Sequence, residues 1–127
     1  MAKTTRFVVH DHRSKGSSGH HWDLRIYYQG VLKSWAIPKH TLPKSGKPLR
    51  AVQVNDHPIS WYKFEGEIKS GYGRGKVKIY DKGVCTLLTW QPKKIGVVFK
   101  GSKVRGTYWL IQSGSDERMW MWIKGKI

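Results

Sequence analysis

Residues 20–28 read His-His-Trp-Asp-Leu-Arg-Ile-Tyr-Tyr, and their alternation of polar and apolar side chains is typical of a β-strand. Successive side chains of a strand point to opposite faces, so His21, Asp23 and Arg25 should share one face. The other face should be apolar, formed by Trp22, Leu24 and Ile26. One face thus carries two metal-type ligands beside a phosphate-type cation, a combination that indicates an enzyme rather than a generic basic domain.

Other short alternating or apolar segments follow at a spacing of about ten residues, separated by Gly, Pro and Ser. Residues 13–19 and 38–48 are typical of loops, and residues 59–65 could form a short turn. The spacing predicts an all-β sandwich or barrel. The predicted strands are Phe7–Val9, 20–28, Val31–Ile37, Ala51–Val54, Lys76–Tyr80, Val84–Trp90, Val97–Lys100, Thr107–Gln112 and Trp120–Lys124.

The length of the chain, 127 residues, predicts one domain over residues 1–127, since smaller halves could not bury a core of their own. A net charge of +16 favours nucleic acid as the partner and an anionic membrane surface as the second choice. No apolar run approaches the roughly 18 residues of a spanning helix, and no signal-peptide pattern is present. Cys85 is the single cysteine, which argues against a disulfide framework and for a cytoplasmic setting.

A metal site is the first chemical hypothesis. His21 and Asp23 point the same way on one strand, and His12 could join them from a neighbouring strand. Two His and one carboxylate are ligands for Mn²⁺, Zn²⁺ or Fe²⁺ and leave positions open for water or substrate. The alternative is that His12 and His21 are ordinary surface histidines of a basic protein.

The remaining histidines are assigned by position. His20 should point with the apolar face, so we predict a packing or edge role for it, and the same for His10. His40 lies in a Lys/Pro-rich loop and should be solvated. His57 ends a strand, where it could hydrogen-bond a phosphate or donate a proton, or simply sit in a turn. Cys85, in an apolar strand, should be inert packing.

Five motifs occur in order along the chain: Phe7–His12, His21–Arg25, Gly30–Lys39, Ala51–Pro58 and Phe64–Gly66. This ordered set resembles the 3′-phosphoesterase domain of bacterial DNA ligase D, which also exists as free-standing proteins. The resemblance extends over nearly the whole chain through Tyr72–Gly75, Tyr80–Gly83 and Trp120–Lys124.

The resemblance implies a single compact β-barrel with a crescent-shaped active-site groove that uses Mn²⁺, with Co²⁺ or Zn²⁺ as alternative ions. It implies removal of a 3′-terminal ribonucleoside from a primer strand, then removal of the remaining 3′-phosphate to leave a 3′-OH for repair. The implied partners are 3′ ends of DNA or of RNA/DNA primer-templates, and a separately encoded repair ligase or polymerase. We expect a monomer with no membrane association.

Carried over residue by residue, the resemblance implies that the metal ligands are His12, His21 and Asp23. It implies that Arg25 and His57 contact the scissile phosphate as catalytic residues. Lys39 falls on the family's Pro-Lys position at the edge of the site and should bind substrate.

The chain departs from the family pattern in the loop before His21, which is longer, so that His10 competes with His12 as the first ligand. Trp61 stands where the family has a tyrosine, and Tyr62 beside it could supply the phosphate-contacting hydroxyl.

A further departure concerns the family's arginine, whose place is taken by Leu49. Arg50 follows it and is the candidate for the same phosphate contact, although a shift of one residue reverses the face of a strand side chain.

A non-catalytic nucleic-acid-binding barrel is the alternative function. Exposed aromatic side chains stacking on bases would account for the charge and for the seven tryptophans. They would not account for a strand face that carries His, Asp and Arg together.

Overall fold

The computed structural model describes residues 3–16, 19–71 and 74–125. Met1, Ala2, two serines of the 13–19 loop, and the Tyr72-Gly73 pair of the family motif lie outside the described residues. Those described form strands β1 to β9 and one short 3-10 helix, with no α-helix among them. The strands are Lys3–Ser14, His20–Tyr28, Val31–Ile37, Leu49–His57, Gly66–Ile68, Gly75–Gln91, Lys94–Lys100, Arg105–Gln112 and Met119–Lys124, and the 3-10 helix is Ile59–Lys63.

Eight of these strands close an antiparallel barrel. Their order is β1-β2-β3-β4-β9-β8-β7-β6, and β6 pairs back with β1 along the whole length of β1. The short strand β5 pairs only with the first residues of β6. The prediction of an all-β barrel is confirmed, and ring closure rules out the open sandwich.

The strand β6 differs from the prediction, which divided it into 76–80 and 84–90. It is one strand from Gly75 to Gln91, because its first part pairs with β5, its last part with β7, and β1 follows it on the other side. The same pairing lengthens β1 beyond the predicted Phe7–Val9. Polar residues such as Arg13 and Lys76 remain in strands since their backbones are paired across the ladder.

Gly75 allows the two strands to approach each other where β6 begins. Its φ is +140°, and a Cβ there would lie 2.2 Å from the carbonyl oxygen of Arg13. Any side chain would therefore push β1 away.

The interior of the barrel holds the apolar core. Alternate residues of each strand point inward, and the tryptophan rings of Trp35 and Trp122 are fully buried there. On β2 the inward residues are Trp22, Leu24 and Ile26, as predicted. The opposite face of β2 is therefore on the outside of the barrel, where it is available to form a site.

The buried carboxylate of Asp81 organises the turn between β7 and β8. It accepts hydrogen bonds from the backbone N–H groups of Ser102, Lys103 and Val104 at 3.2, 2.8 and 2.7 Å. Gly101 must lack a side chain because a Cβ there would lie 2.3 Å from an Asp81 oxygen. Sequence reasoning gave Asp81 no role, since the turn that it holds is distant in the chain.

Replacing Asp81 with Ala should lower the free energy of unfolding by about 3 kcal/mol, because the turn loses an ionised acceptor for three amides. Urea denaturation measures this difference. Asp56→Ala is the control: Asp56 makes a partly exposed ion pair with Lys33 at 3.0 Å and should cost less than about 1 kcal/mol. Equal small losses in both variants would contradict the role of Asp81.

Cys85 should be chemically silent in the native protein. It lies fully buried in the core, and burial raises the pKa of its thiol to about 12. We expect Ellman's reagent at pH 8 to label no thiol in the native chain and one per chain in guanidinium chloride. Rapid labelling without denaturant would show instead that the barrel opens beside β6, which pairs with β1 and β7 at this residue.

Candidate functional site

The candidate site lies on the outer face of β1 and β2. These strands pair antiparallel so that His12 lies opposite His21 and His10 lies opposite Asp23. Cross-strand partners share a face, which places all four side chains together. The packing or edge role predicted for His10 is therefore wrong: His10 lies two positions before His12, and side chains two positions apart on a strand point the same way.

Three of these side chains form a compact cluster of metal-type ligands. Ligand atoms of His12, His21 and Asp23 all lie within 4.8 Å of one another, and all three residues are buried. The two oxygens of the Asp23 carboxylate lie 3.2 Å from His12 Nδ1 and 3.3 Å from His21 Nε2. His21 Nδ1 lies 3.0 Å from the carbonyl oxygen of Gly19, which orients the ring.

Electrostatics keep the centre of this cluster anionic. Burial alone would raise the pKa of Asp23, but hydrogen bonds from His12 and His21 and the charge of Arg25 hold it well below its usual value. Burial alone would lower the pKa of His21, but its hydrogen bond with Asp23 and the charge of that carboxylate raise it. The donor set is therefore an anion with two imidazoles, which suits a divalent transition metal.

Arg25 lies next to the cluster and is almost fully buried, with an exposure of 3%. Its Nε–H donates to His10 Nδ1 at 3.0 Å, and its Nη1 donates to Ser34 Oγ at 2.9 Å. Its Nη2 lies 3.5 Å from Asp23 Oδ2. Burial lowers the pKa of Arg25, and Asp23 partly offsets this effect. Contacts with His10, Ser34 and Asp23 therefore fix the position of the guanidinium.

His10 holds Arg25 in place through a hydrogen bond. Because its Nδ1 accepts the Arg25 proton, its Nε2 carries the hydrogen and donates to the carbonyl oxygen of Phe64 at 3.1 Å. Burial and the charge of Arg25 lower the pKa of His10 to about 4. His10 is thus a neutral link between Arg25 and the segment after the 3-10 helix. The alternation of the sequence could have placed it on this face.

His57 completes the group at the end of β4. Its Nδ1 lies 3.1 Å from Arg25 Nη1 and 2.9 Å from the carbonyl oxygen of Asn55. One nitrogen cannot accept from the first and donate to the second at once, so the tautomer decides which bond forms. Burial and the charge of Arg25 lower the pKa of His57, so its ring is neutral at pH 7.

Trp61, on the 3-10 helix, packs against these groups. Its ring centroid is 5.6 Å from the Arg25 guanidinium carbon and 5.0 Å from the ring centroid of His57. The ring centroid of Phe64 lies 4.5 Å from that of Trp61, so the two rings pack together. Neither aromatic was predicted as a site residue, although Trp61 was noted as a departure from the family pattern.

Together these side chains line a groove of about 700 Å³. Titratable and apolar side chains both line it. Its lining residues are His12, His21, Asp23, Arg25, Ala36, Pro38, Val52, Val54, His57, Trp61, Phe64, Glu67 and Ile68.

Three predicted substrate-binding residues are outside this lining. Lys39 is exposed and follows the lining residue Pro38. Arg50 is exposed on β4, two residues before the lining residue Val52, and alternation puts it on the same outer face. The centroid of the Tyr62 ring lies 5.4 Å from Lys82 Nζ. Trp61, and not Tyr62, is among the residues that line the groove.

His20 has the edge role predicted for it. It faces away from His21, its Nε2 pairs with Asp11, and its ring stacks on the exposed His40 at 3.9 Å between centroids. It takes no part in the metal-type cluster.

A closed β-barrel with a buried His-His-Asp cluster beside an arginine and a histidine defines a class of proteins equipped to hold a metal ion next to a phosphate ester. The chain belongs to the DNA ligase D 3′-phosphoesterase domain family, whose profile matches residues 9–112. The family predicted from the ordered motifs is confirmed.

The relatives are much longer proteins. The chain is 34% identical over 130 residues to the multifunctional non-homologous end joining protein LigD of Pseudomonas aeruginosa, covering 95% of this chain and 15% of that protein. It is 34% identical over 115 residues to the multifunctional non-homologous end joining DNA repair protein LigD of Mycobacterium tuberculosis, covering 87% and 15%. The chain spans about 15% of the length of the curated relatives it matches.

Among the described residues, no helix has the length and apolar character needed to cross a membrane.

Proposed function

We propose that this chain is a metal-dependent phosphoesterase that processes the 3′ ends of nucleic acids. It would remove a 3′-terminal ribonucleoside and then the remaining 3′-phosphate, leaving a 3′-OH. The observation that carries the proposal is one groove in which the cluster of His12, His21 and Asp23 adjoins Arg25 and His57. The family membership supports the same reaction class.

His12, His21 and Asp23 are the residues that would hold the metal, which we propose to be Mn²⁺, with Co²⁺ or Zn²⁺ as alternatives. Two imidazoles and one carboxylate fit such an ion and leave positions open for other ligands. When bound, the ion would neutralise charge on a phosphate oxygen and favour ionisation of water. The imidazole rings of His12 and His21 are positioned without the ion. The Gly19 carbonyl holds the His21 ring, and the pairing of β1 with β2 places His12 opposite it.

Arg25 would stabilise charge on the phosphate as it is cleaved. Its Nε–H and one Nη1–H are occupied by His10 and Ser34, and its second Nη1–H faces His57, so the donors for phosphate oxygens would come chiefly from Nη2, which also lies 3.5 Å from Asp23. Because these contacts fix the guanidinium before substrate binds, little reorganisation is needed during the reaction.

His57 would act on the leaving oxygen. Its lowered pKa makes it a neutral hydrogen-bond donor in the free protein. The negative charge of a bound phosphate would raise that pKa and so favour the protonated form, which can donate to the leaving oxygen. The lowered value arises from burial and from the charge of Arg25, and a bound phosphate would offset the second of these causes.

The substrates and partners follow from the charge and the relatives. A net charge of +16 suits 3′ ends of DNA or of RNA/DNA primer-templates, and exposed Lys39 and Arg50 would contact the strand outside the groove. Since the named relatives are multifunctional end-joining proteins, we propose that a repair ligase or polymerase would use the 3′-OH product. We propose a cytoplasmic monomer.

End-product analysis tests this function. A labelled primer-template with one 3′-terminal ribonucleotide is incubated with Mn²⁺, Co²⁺ or Zn²⁺, and with chelator. We expect metal-dependent conversion to a 3′-phosphate and then to a 3′-OH. Tight binding with an unchanged 3′ end under every metal would contradict the proposal and support the non-catalytic nucleic-acid-binding barrel.

A further inference from the structure

Part of the groove is lined by a strip of apolar side chains that the chemistry described above does not use. We call it the apolar strip; it consists of Ala36 of β3 with Val52 and Val54 of β4. Ala36 pairs with Val52, and Val54 lies two positions further on, so all three side chains share the outer face. Val54 is 36% exposed. A phosphate group needs charged and N–H donors, so an open apolar strip indicates that a carbon-rich part of the substrate also enters the groove.

The apolar strip lies beside the arginine that would hold the phosphate. Across the sheet, Arg25 of β2 pairs with Ser34 of β3, and Ser34 pairs with Val54 of β4. Ser34 is small and fully buried, so its side chain does not stand between the other two. Two inter-strand spacings, about 10 Å, separate β2 from β4. A sugar attached to a phosphate at Arg25 can therefore lie on the apolar strip.

The groups around Arg25 are arranged asymmetrically. Its Nη2 lies 3.5 Å from Asp23, on the side of the ligand cluster, whereas its Nη1 lies 3.1 Å from His57. His57 ends β4, the strand that carries Val54. In phosphoryl transfer the attacking and leaving oxygens lie roughly in line. Attack from the side of the cluster therefore places the leaving oxygen on the side of β4, next to His57 and the apolar strip.

We propose that the apolar strip binds the sugar whose oxygen leaves, and that it does so in both reactions of the proposed function. In the first reaction this sugar is the ribose of the 3′-terminal nucleoside, and in the second it is the last sugar of the primer. The contact involves the carbon atoms of the sugar alone, so the base keeps its pair with the template strand. The inference rests on the proposed function, because both reactions must occur in this groove.

The two reactions break different bonds at the same phosphorus. In the first, water adds to phosphorus, the bond to O5′ of the terminal nucleoside breaks, and O5′ takes a proton from His57. In the second, water adds again, the bond to O3′ of the primer breaks, and O3′ takes the proton. Each attacking water releases a proton to solvent, from which His57 regains its own. His57 is the one imidazole among the described lining residues outside the ligand cluster, so both leaving oxygens must come to it.

The primer therefore has to move between the two reactions. While the terminal nucleoside occupies the apolar strip, the last sugar of the primer lies elsewhere in the groove. Once the nucleoside has left, that sugar takes its place, which brings O3′ to His57. The apolar strip should consequently matter as much for removal of the 3′-phosphate as for removal of the nucleoside.

The test removes methyl groups from the apolar strip. Val54→Ala and the double variant Val52→Ala/Val54→Ala are assayed on a primer-template with one 3′-terminal ribonucleotide and on the same primer with a 3′-phosphate. Sulfate, a tetrahedral dianion without a sugar, serves as competitive inhibitor at constant ionic strength. We expect kcat/KM to fall about threefold in the single variant and about tenfold in the double variant on both substrates, with the inhibition constant of sulfate within about twofold of wild type.

Val84→Ala is the matched control. Val84 lies on β6, is 39% exposed and is not among the residues that line the groove. It should leave all three quantities unchanged. A loss confined to the terminal ribonucleotide would show that the primer keeps its place between the reactions, and would overturn the inference. An equal loss in Val84→Ala, or an equal weakening of sulfate inhibition, would also overturn it. Wild-type protein that binds both substrates and cleaves neither would contradict the proposed function itself, and the inference would fall with it.

Discussion

His21→Ala is expected to lose all metal-dependent cleavage at 3′ ends while the barrel stays folded. His21 supplies one of three clustered ligand atoms, and two remaining ligands hold a transition metal far less tightly than three. Its other contacts, with Gly19 and Asp23, lie at the end of a strand whose core residues are unchanged. Product analysis gives the activity, and titration calorimetry with Mn²⁺ gives the loss of affinity.

The neighbouring histidine provides the control for this prediction. His20→Ala removes the same side chain from the adjacent position, but His20 faces away from the cluster and pairs with Asp11. It should keep wild-type turnover and Mn²⁺ affinity. Full activity of His21→Ala would remove the basis for the metal assignment, and equal loss in both variants would point to damage of β2 rather than to a ligand role.

Arg25→Lys is the second substitution with a large expected effect, a fall in turnover of about a hundredfold or more. Lysine keeps the charge, but its single ammonium cannot contact His10, Ser34 and the phosphate at once. His10 would lose its donor partner, and the positive charge, which together with burial lowers the pKa of His57, would no longer be fixed beside that ring.

A pH profile separates this explanation from a simple loss of folding. With the guanidinium gone from its position between His10 and His57, the residual activity of Arg25→Lys should show a shifted His57 titration, while Mn²⁺ affinity stays close to wild type. Ser34→Ala removes only one of the Arg25 contacts and should cost much less activity than Arg25→Lys. Wild-type turnover in Arg25→Lys would show that charge alone suffices at this position.

The strand pattern of the sequence predicted most of the fold. Alternation predicted β2 and β3 with the observed bounds, and the inward face of β2 was identified because periodicity of two leaves no choice of face. The division of β6 was wrong because the polar residues between its two parts do not look like a strand interior. Only their pairing with β1, distant in the chain, makes them one.

The candidate site was predicted in part. His12, His21 and Asp23 come together as expected, since the first pairs across from the second and the third follows on the same face. The contacts of Arg25 with His10 and Ser34 join three strands, and no local pattern indicates which strands are neighbours. Tyr62 and Trp61 show the same limit: the 3-10 helix turns only one of two adjacent aromatics toward the groove.

By itself, the sequence determined that the chain is an all-β basic protein, that one face of β2 bears ligands and a cation, and that its ordered motifs are those of one family. These properties follow from composition and from a period of two, both of which are local. Only the tertiary structure decided that the barrel closes through β1 and β6 and that His10 holds Arg25 by a hydrogen bond. Each of these depends on contacts between strands far apart in the chain, which local periodicity does not encode.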